Sequence, residues 1–432
     1  MRTKLLTLLI LLCSAGMIQA QQTLTLDLDG ARKQAMEYNK TILNSNLARD
    51  KAELALRETI ANGLPQLNAA VDYSNALGAK MSIRFAENMP ASEIEIKPQS
   101  NFNLSATQLI FSGNYIVGIQ TARLYRDMAN MSIEKTEMEV LAQVTESYQL
   151  VLLSDELLKL LRQNLINLQD LYTKTAALES VGIIEKNDLD QLFVQVNTMQ
   201  NAVKSSERQM EMATNLLRLQ LGVSAETELE LISPISQMLD NALAASSMGS
   251  SFRIEDHIDF RLMNQQEIVS RKMIDMQRAN ALPTLSGYYR YTYKLLKPDF
   301  DMTPANMVGL QMNIPLFSSG VRNAQVKQSR IDLETTQNNK SLLSDQLRIQ
   351  EKQLLYNYNS NLETYINQKT NVEVSRRVYS SLKLKYEQGL ISGLDLINAD
   401  NNYLRSETDY ITAIMQLLQA RVQLQKLYGQ LN

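Results

Sequence analysis

The stretch Asn62-Gly63-Leu64-Pro65-Gln66-Leu67 returns later in the chain as Asn280-Ala281-Leu282-Pro283-Thr284-Leu285. Four further pairs of identical residues are each separated by 207 positions: Gly113 and Gly320, Gly182 and Gly389, Asp188 and Asp395, Gly222 and Gly429. A constant offset over so long a stretch indicates an internal duplication, with two equivalent halves built around one axis. Each half is predicted to contain the same elements in order: a helix, a strand pair, a very long helix, a turn and a second helix.

The N-terminal residues have the pattern of a cleavable export signal. Met1-Arg2-Thr3-Lys4 is basic, Leu5 to Leu12 is apolar, and small and polar residues follow as far as Ala20. This pattern predicts a secretory signal peptide over residues 1–20. The apolar run is too short for a transmembrane helix, and no later segment reaches the ~20 apolar residues that one needs. We therefore expect an exported protein without a helical anchor.

Few side chains in the sequence could support catalysis. The only cysteine, Cys13, lies within the predicted signal, and the only histidine, His257, stands at the predicted start of a helix. The sequence therefore lacks the side chains that most hydrolytic and zinc-dependent reactions require. It also has no Gly-rich phosphate-binding motif. The formal net charge of −3 is spread without blocks, which argues against a nucleic-acid partner. We expect no enzymatic activity, cofactor or metal.

Two helices of unusual length are predicted. No proline occurs from Asn114 to Ser180 or from Val321 to Gln388, and at ~1.5 Å per residue each helix would extend on the order of 100 Å. Their apolar residues follow a heptad-like spacing, which predicts side-by-side packing as in a coiled coil. These residues are Leu158, Leu161, Leu165, Leu168 and Tyr172 in the first helix and Leu355, Leu362, Tyr365, Val372, Tyr379, Leu382 and Tyr386 in the second.

Each long helix ends at a glycine, Gly182 or Gly389, and a second helix is predicted to follow within a few residues. Asp188 and Asp395 stand near the starts of these second helices and are predicted to be N-caps. The sequence therefore predicts two long helical hairpins, over residues 113–222 and 320–428.

Between the helices the apolar period changes from 3.6 to 2, which predicts strand pairs over residues 66–111 and 284–317. The helix–strand junctions are predicted at Pro65, Phe111, Pro283 and Phe317. Each strand is roughly ten residues long, the length that a tilted strand needs to cross a bilayer. A soluble antiparallel sheet with one wet face has the same pattern.

Four strands cannot close a barrel, and an open sheet edge is not tolerated in lipid. If the strands span a membrane, several chains must contribute them, and three chains would give 12 strands around a water-filled pore. An assembly of three chains would also close the helices into a tube. The alternative is a periplasmic or surface coiled-coil structural protein whose strands form a soluble cap.

The chain resembles the TolC-like outer-membrane efflux proteins. The resemblance rests on the Asn-x-Leu-Pro-x-Leu motifs at 62–67 and 280–285, on Phe111 and Phe317, and on a Gly-x5-Asp-Leu pattern that begins at Gly182 and Gly389. It implies a mainly α fold with a transmembrane β part. The duplicated antiparallel coiled-coil helices would form an α-barrel, and four strands per chain would contribute to a trimeric 12-stranded β-barrel in outer-membrane lipid.

The resemblance also implies a function and partners. The chain would form a homotrimeric, passive, gated exit duct for efflux or type I secretion, located in the outer membrane with a periplasmic tunnel. A periplasmic membrane-fusion adaptor and an inner-membrane pump of the RND, ABC or MFS type would open it. The first repeat would span residues 21–223 and the second 257–432, with an equatorial belt segment at 224–256 between them. Residues 77–99 would form the main extracellular loop.

By the same resemblance, the two helical turns correspond to a periplasmic tip that closes the duct and docks the adaptor. The residues assigned to this gate are Gly182, Asp188, Tyr386, Gly389 and Asp395. A hydrogen bond between Tyr386 and Asp188 is expected to hold the closed state, while Ile391 replaces an arginine that braces the gate in the family. Asp395 matches one of the two carboxylates of an acidic constriction. The second position is Asn398, which leaves Asp400 as a candidate for the second carboxylate.

Overall fold

The computed structural model describes residues 23–84, 90, 92–244, 252–296 and 303–431, so the predicted signal peptide lies outside the described residues. The helices are α1 (Leu28–Tyr38), α2 (Lys40–Ala61), α3 (Gly113–Ser180), α4 (Lys186–Leu221), α5 (Ile235–Ala244), α6 (Ile258–Ala279), α7 (Val321–Glu387) and α8 (Gly393–Leu427). The strands are β1 (Thr23–Leu26), β2 (Gln66–Ser74), β3 (Lys80–Ile83), β4 (Ser92–Glu95), β5 (Gln99–Ser112), β6 (Glu228–Leu231), β7 (Thr284–Leu296) and β8 (Asn306–Asn313).

The predicted order of helix, strand pair, long helix, turn and helix occurs twice along the chain. The long helices α3 and α7 contain 68 and 67 residues. None of the described helices is both long enough and apolar enough to cross a bilayer. The chain forms two compact units. The first comprises Met1–Asn46, Ile133–Ile258 and Ser344–Asn432, and the second comprises Leu47–Ser132 and Asp259–Leu343.

The second unit contains a four-stranded antiparallel sheet with the strand order β2-β5-β7-β8. The register places apolar side chains in rows across one face: Leu67, Ala106, Tyr289 and Val308 form one such row. The opposite face is polar. There Asp72 accepts hydrogen bonds from Asn101 and Asn103 at 2.9 and 2.6 Å, and Thr292 donates to Asn103 at 2.8 Å. The alternation predicted from the sequence is therefore confirmed.

One predicted boundary of the strand region needs correction. The last strand ends at Asn313 and does not reach Phe317, because Pro315 has no N–H group to continue the ladder. Phe317 lies beyond the strand and is exposed. Pro65 and Pro283 directly precede β2 and β7. Phe111 is the second-last residue of β5, which ends at Ser112. The predicted extracellular loop at 77–99 contains a hairpin formed by β3 and β4.

The segment predicted to have no strong periodicity, residues 224–256, contains regular structure in the first unit. β6 pairs in parallel with β1, from Thr23 opposite Glu228 to Leu26 opposite Leu231, and α5 follows. Tyr148 of α3 is fully buried and fastens this assembly: its hydroxyl donates to the Leu26 carbonyl at 3.0 Å and accepts from the Ser233 amide at 3.2 Å.

The predicted heptad residues mostly lie on the packed face of the long helices. Leu158, Leu168, Tyr365 and Val372 are buried within the chain. Leu355 is the exception, because it is exposed and Tyr358 occupies the buried position, donating its hydroxyl to the Ala242 carbonyl at 2.6 Å. This bond places Tyr358 of α7 against the C-terminal part of α5.

Gly222 and Gly429 terminate the second helix of each hairpin in left-handed conformations, with φ of +70° and +66°. In both cases the next amide donates to a carbonyl five residues earlier, as in a Schellman motif. Their surroundings differ. A Cβ on Gly222 would lie 2.2 Å from the Tyr38 carbonyl oxygen, whereas nothing lies within 4 Å of one on Gly429.

We predict that Gly429→Ala lowers the free energy of unfolding by about 1 kcal/mol, the cost of a left-handed alanine. Gly222→Ala should cost at least about twice as much, since the backbone of residue 38 cannot move aside cheaply. Thermal midpoints of the two variants in detergent, followed by circular dichroism, test this. Equal losses would contradict the close approach at Gly222.

In the second unit, a buried carboxylate joins α6 to α7. Glu267 accepts hydrogen bonds from Arg271 at 2.6 Å, Gln337 at 3.1 Å and Lys340 at 3.0 Å. The hydrogen bonds from Arg271, Lys340 and Gln337 lower the pKa of Glu267 to about 2. The folded pKa thus lies below the usual 4.5, and the stabilisation is complete above pH 4.5 and is lost as the pH falls toward about 2.

Glu267→Gln is expected to lower stability by about 2 kcal/mol at neutral pH, the scale of one charge-assisted hydrogen bond. The difference from the unmodified protein should shrink as the pH falls below 4.5. The exposed Glu334 of α7 supplies the matched control, Glu334→Gln. Thermal midpoints of the two variants and the unmodified protein, measured from pH 3 to 7, test this prediction. A difference between Glu267→Gln and the unmodified protein that does not change with pH would contradict the charged hydrogen bonds of Glu267.

Candidate functional site

The two hairpins of the first unit reverse direction at short turns, residues 181–185 and 388–392, here named the tip turns. Gly182 and Gly389 have φ of +77° and +72°. After each glycine the next amide donates to a carbonyl five residues earlier, at 3.0 and 2.9 Å. These left-handed glycines close both long helices in the same way.

The starts of the following helices differ between the repeats. Asp188 and Asp395 are not N-caps, as the sequence predicted, but lie at the third helical position. In α8, Ser392 is the N-cap and forms a capping box with Asp395, whose carboxylate accepts from the Ser392 amide and hydroxyl at 3.3 and 2.7 Å. In α4 the N-cap is Glu185, which makes no side-chain cap. The second tip turn is therefore the better fixed of the two.

The tip turns expose large apolar side chains. Val181 and Ile183 are 68% and 70% exposed in the first turn, and Leu390 is 68% exposed in the second. Leu394, in the first turn of α8, is 47% exposed. Such side chains gain free energy by contact with an apolar partner surface.

Near the tip turns, a hydrogen bond joins the two hairpins. The Tyr386 hydroxyl of α7 lies 2.9 Å from the Thr175 hydroxyl of α3, and Thr175 is completely buried. This corrects the expected Tyr386–Asp188 bond: the phenol is paired with α3 and not with the start of α4. Asp188 instead lies half-buried in the first turn of α4.

A second link lies further from the turns along the same helices. Asp400 of α8 is only 4% exposed and accepts from the Asn164 side chain of α3 at 3.1 and 3.0 Å. Tyr379 of α7 also hydrogen-bonds to Asp400. Burial raises the pKa of Asp400, opposed by these two hydrogen bonds and by the charge of Lys383. Burial likewise raises the pKa of Tyr379 to about 12.

Asp400 therefore does not belong to an exposed acidic ring with Asp395. Its carboxylate is enclosed between three helices, while Asp395 is exposed and engaged by Ser392. Asn398 is exposed, and Ile391 is half-buried in the second tip turn. In this chain, Asp395 alone is left as the predicted constriction carboxylate.

A third link joins the second helices of the hairpins, where Gln195 of α4 donates to Asn401 of α8 at 2.6 Å. The three links connect α3 to α7, α3 to α8, and α4 to α8. The Thr175–Tyr386 link is partly buried and the Asn164–Asp400 link is buried, whereas the Gln195–Asn401 link is exposed. Each such contact contributes about 1 kcal/mol to the alignment of the hairpins.

Sequence reasoning missed Thr175, Asn164 and Gln195. Thr175 and Asn164 are polar residues in the heptad stretch of α3, three or four positions from apolar core residues. A polar residue at a core position is a recognised signal for a specific partner. That signal marks them as candidates, but the partner helix cannot be read from one sequence. Within the part of the chain that the structure describes, no group of His, Cys, Asp or Glu side chains is arranged to hold a metal ion.

We predict that Asp400→Asn leaves the protein at least as stable as the unmodified chain at neutral pH, since burying a carboxylate is costly. The folded pKa of Asp400 lies above its usual 3.8, so its contribution is complete below that pH and is lost as the pH rises through the folded pKa. The unmodified protein should gain on the variant as the pH falls from 8 to 4. Parallel midpoint curves for the two proteins would contradict the burial of a charge at this position.

Comparisons with known proteins agree with the architecture. Residues 254–430 match the family model described as outer membrane efflux protein. No curated protein matches the sequence. Among solved structures, the CmeC outer membrane channel of Campylobacter jejuni is similar with a TM-score of 0.73 and 14% identity, over 93% of this chain and 85% of that chain.

The outer membrane protein VceC of Vibrio cholerae has a TM-score of 0.71 at 11% identity, over 93% of this chain and 96% of that chain. The MtrE outer membrane channel of Neisseria gonorrhoeae, solved in an open state, has a TM-score of 0.70 at 14% identity, over 93% of this chain and 88% of that chain. Identities this low establish a shared fold. The resemblance predicted from the repeated motifs is thus confirmed: residues 254–430 match the outer membrane efflux protein family, and the chain has the fold of the TolC-like outer-membrane channels.

Proposed function

We propose that this chain is the protomer of a homotrimeric outer-membrane channel, a passive and gated exit duct for efflux or type I secretion. The match to the outer membrane efflux protein family and the fold shared with outer-membrane channels support an efflux-channel role. In this proposal an inner-membrane pump supplies the energy, a periplasmic adaptor opens the duct, and the signal peptide directs export.

The observation that carries the proposal is the four-stranded sheet of the second unit. Its apolar face presents large exposed side chains, among them Leu67, Val71, Val308 and Leu310. Its outer strands, β2 and β8, each pair on one side only with another described strand. In water, such a face and such edges favour aggregation. In lipid, contact of the apolar face with the hydrocarbon chains is favourable. Pairing β8 of one copy with β2 of the next leaves no strand with an unpaired edge.

Three copies give twelve strands, a number within the range of known outer-membrane barrels. The polar face, with Asp72, Asn101 and Asn103, would then line a water-filled lumen. The alternative, a coiled-coil structural protein with a soluble cap, leaves the exposed apolar face in contact with water.

The hairpins supply the proposed gate. Breaking the links Thr175–Tyr386, Asn164–Asp400 and Gln195–Asn401 would allow one hairpin to move against the other. An adaptor can open the gate only by binding the open arrangement more tightly than the closed one. The exposed apolar residues of the tip turns offer the surface for that contact, and Gly182, Gly389 and Asp395 fix the shape of the turns, with Asp188 beside them in the first turn of α4.

The first experiment measures the mass of the detergent-purified protein by native mass spectrometry and its conductance in planar bilayers. We expect a trimer that forms discrete channels. A protein that is extracted without detergent and conducts no ions would refute the channel and favour the coiled-coil structural protein.

The gate is tested by removing the link between Thr175 and Tyr386. Thr175→Val combined with Tyr386→Phe should increase the open probability about fivefold for each link broken, because a hydrogen bond contributes about 1 kcal/mol. Single-channel recordings give this quantity. Tyr356→Phe is the control, since Tyr356 lies on the same helix and is 72% exposed. An unchanged open probability in the double variant, with normal trimer mass, would exclude this bond from the gate.

A further inference from the structure

The two edges of the four-stranded sheet lack the features that usually keep a sheet edge from pairing. The edge strand β8, Asn306–Asn313, contains no charged residue and no proline. The other edge strand, β2, contains one charged residue, Asp72, whose carboxylate is already engaged by Asn101 and Asn103 of its own chain. Edge strands that face water are usually interrupted by prolines or carry lysines and other charges. Both edges of this sheet are therefore open to a partner strand.

The two strand pairs of the sheet, β2 with β5 and β7 with β8, are copies of one another in register. Leu67 of β2 lies opposite Ala106 of β5, and Leu285 of β7 lies opposite Met312 of β8. Shifting β2 by 218 positions and β5 by 206 positions converts residue pairs of the first strand pair into all eight residue pairs of the second. The sheet thus consists of two equivalent strand pairs, joined in the middle where β5 pairs with β7.

The join between β5 and β7 shows how one strand pair meets the next. There Leu104 lies opposite Tyr291, and Phe111 lies opposite Leu285. In a closed ring of three copies, the strand pairs follow one another around one axis, so β8 of one copy meets β2 of the next as β5 meets β7 within a chain. Because the stagger between strands is fixed when a sheet closes into a barrel, equivalent joins are expected to share one register.

We propose that β8 of one copy pairs antiparallel with β2 of the next copy in the register of β5 with β7, so that Leu310 lies opposite Tyr73 of the next copy. The same register places Met312 opposite Val71 and Phe317 opposite Leu67 of the next copy. This inference rests on the proposed trimeric channel and specifies the residues of its strand interface between copies.

The residue types support this register. Leu310 with Tyr73 of the next copy repeats the leucine–tyrosine pair that Leu104 forms with Tyr291 inside the chain. Leu104 and Tyr291 are half-buried, whereas Leu310 and Tyr73 are exposed in a single chain. A cross-strand pair of an aromatic and an aliphatic side chain stabilises a sheet. The chain therefore presents both members of such a pair, one on each edge.

A second repeated pair lies at the other end of the interface. Phe317 with Leu67 of the next copy repeats the phenylalanine–leucine pair of the internal join, Phe111 with Leu285. Phe317 and Leu67 are both exposed in a single chain. Pairing must pass Pro315, whose equivalent in β5 stands directly before the irregularity in the β5–β7 register. Prolines within sheets are found at such bulges, so the pairing can resume at Phe317.

Other registers fit less well. A slip by one residue would bring the apolar face of one copy beside the polar face of the next, because successive residues of a strand point to opposite faces. A slip by two residues keeps the faces but places Leu310 opposite Val71 or Asn75, and both repeated pairs are lost. The register of the internal join is the one that keeps the faces and the repeated pairs together.

The test is oxidative cross-linking of introduced cysteines in the full-length protein purified in detergent. The only native cysteine, Cys13, lies within the predicted signal. Leu310→Cys and Tyr73→Cys are placed in one chain, where three strand spacings, at least about 14 Å, separate them. That distance is too long for a disulfide within the chain. Oxidation should therefore shift the protein on a non-reducing gel from a one-chain band to a three-chain band.

A second pair, Met312→Cys with Val71→Cys, should give the same shift and covers the case in which the first pair does not fold. The matched control is Leu310→Cys with Ala69→Cys. Ala69 lies on the same face of β2 as Tyr73 but about 13 Å further along the strand, so this control should stay in the one-chain band. Native mass spectrometry of each variant before oxidation checks that the trimer has formed.

The outcomes separate the register from the channel. A conducting trimer in which Leu310→Cys cross-links with Ala69→Cys, or in which neither predicted pair cross-links, would overturn the register and leave the channel proposal standing. A two-chain product from Leu310→Cys alone would mean that two β8 strands pair with each other, and would overturn the interface. A monomer that conducts no ions would overturn the proposed channel and this inference with it.

Discussion

The backbone groups along the outer edges of β2 and β8 have no partner strand in the described part of the chain, and the proposed channel depends on how these edges are satisfied. One face of the same sheet is apolar across all four strands. A sheet with such a face gains free energy from contact with lipid, but lipid cannot hydrogen-bond its edges. Only other copies of the sheet can satisfy both demands. In the proposed channel, assembly into a closed barrel meets both demands, and the helices of each copy would have to be compatible with that assembly.

The helical hairpins face a different demand in the proposed gate, where they would have to pack tightly and still be able to move. Apolar packing along the heptad face supplies most of the contact, with residues such as Leu168 and Val372 fully enclosed. The links at Thr175, Asn164 and Gln195 are polar and few, so each contributes modestly to stability. A buried carboxylate such as Asp400 even costs free energy relative to a neutral residue. Polar contacts of this kind specify one alignment of helices without making that alignment permanent, which suits a gate.

The parts of the structure that depend on local chemistry could be predicted from the sequence. Gly182 and Gly389 end the long helices as expected, and the alternation after Pro283 gives the faces of β7 correctly. The missed features depend on contacts between distant segments. The parallel pairing of β1 with β6 joins strands of four residues each, too short to show a decisive period. The Tyr386–Thr175 bond depends on the alignment of α3 with α7, which the heptad pattern alone does not fix.

The duplication explains why the same helices and strands occur twice. The side chains that differ between the two repeats explain why their polar contacts differ. At the constant offset, the glycines and Asp188 and Asp395 are shared, whereas Asp400 corresponds to Phe193 and Tyr386 to Glu179. Among the residues that link the hairpins, Asn164 corresponds to an identical residue, Asn371, whereas Thr175 corresponds to Leu382 and Asn401 to Val194. The better-capped tip turn also belongs to the second repeat alone. A trimer of such chains would have helices arranged with nearly sixfold symmetry but polar links with only threefold symmetry. The two hairpins of each chain are thus chemically distinct, and a partner that contacts both can move one relative to the other.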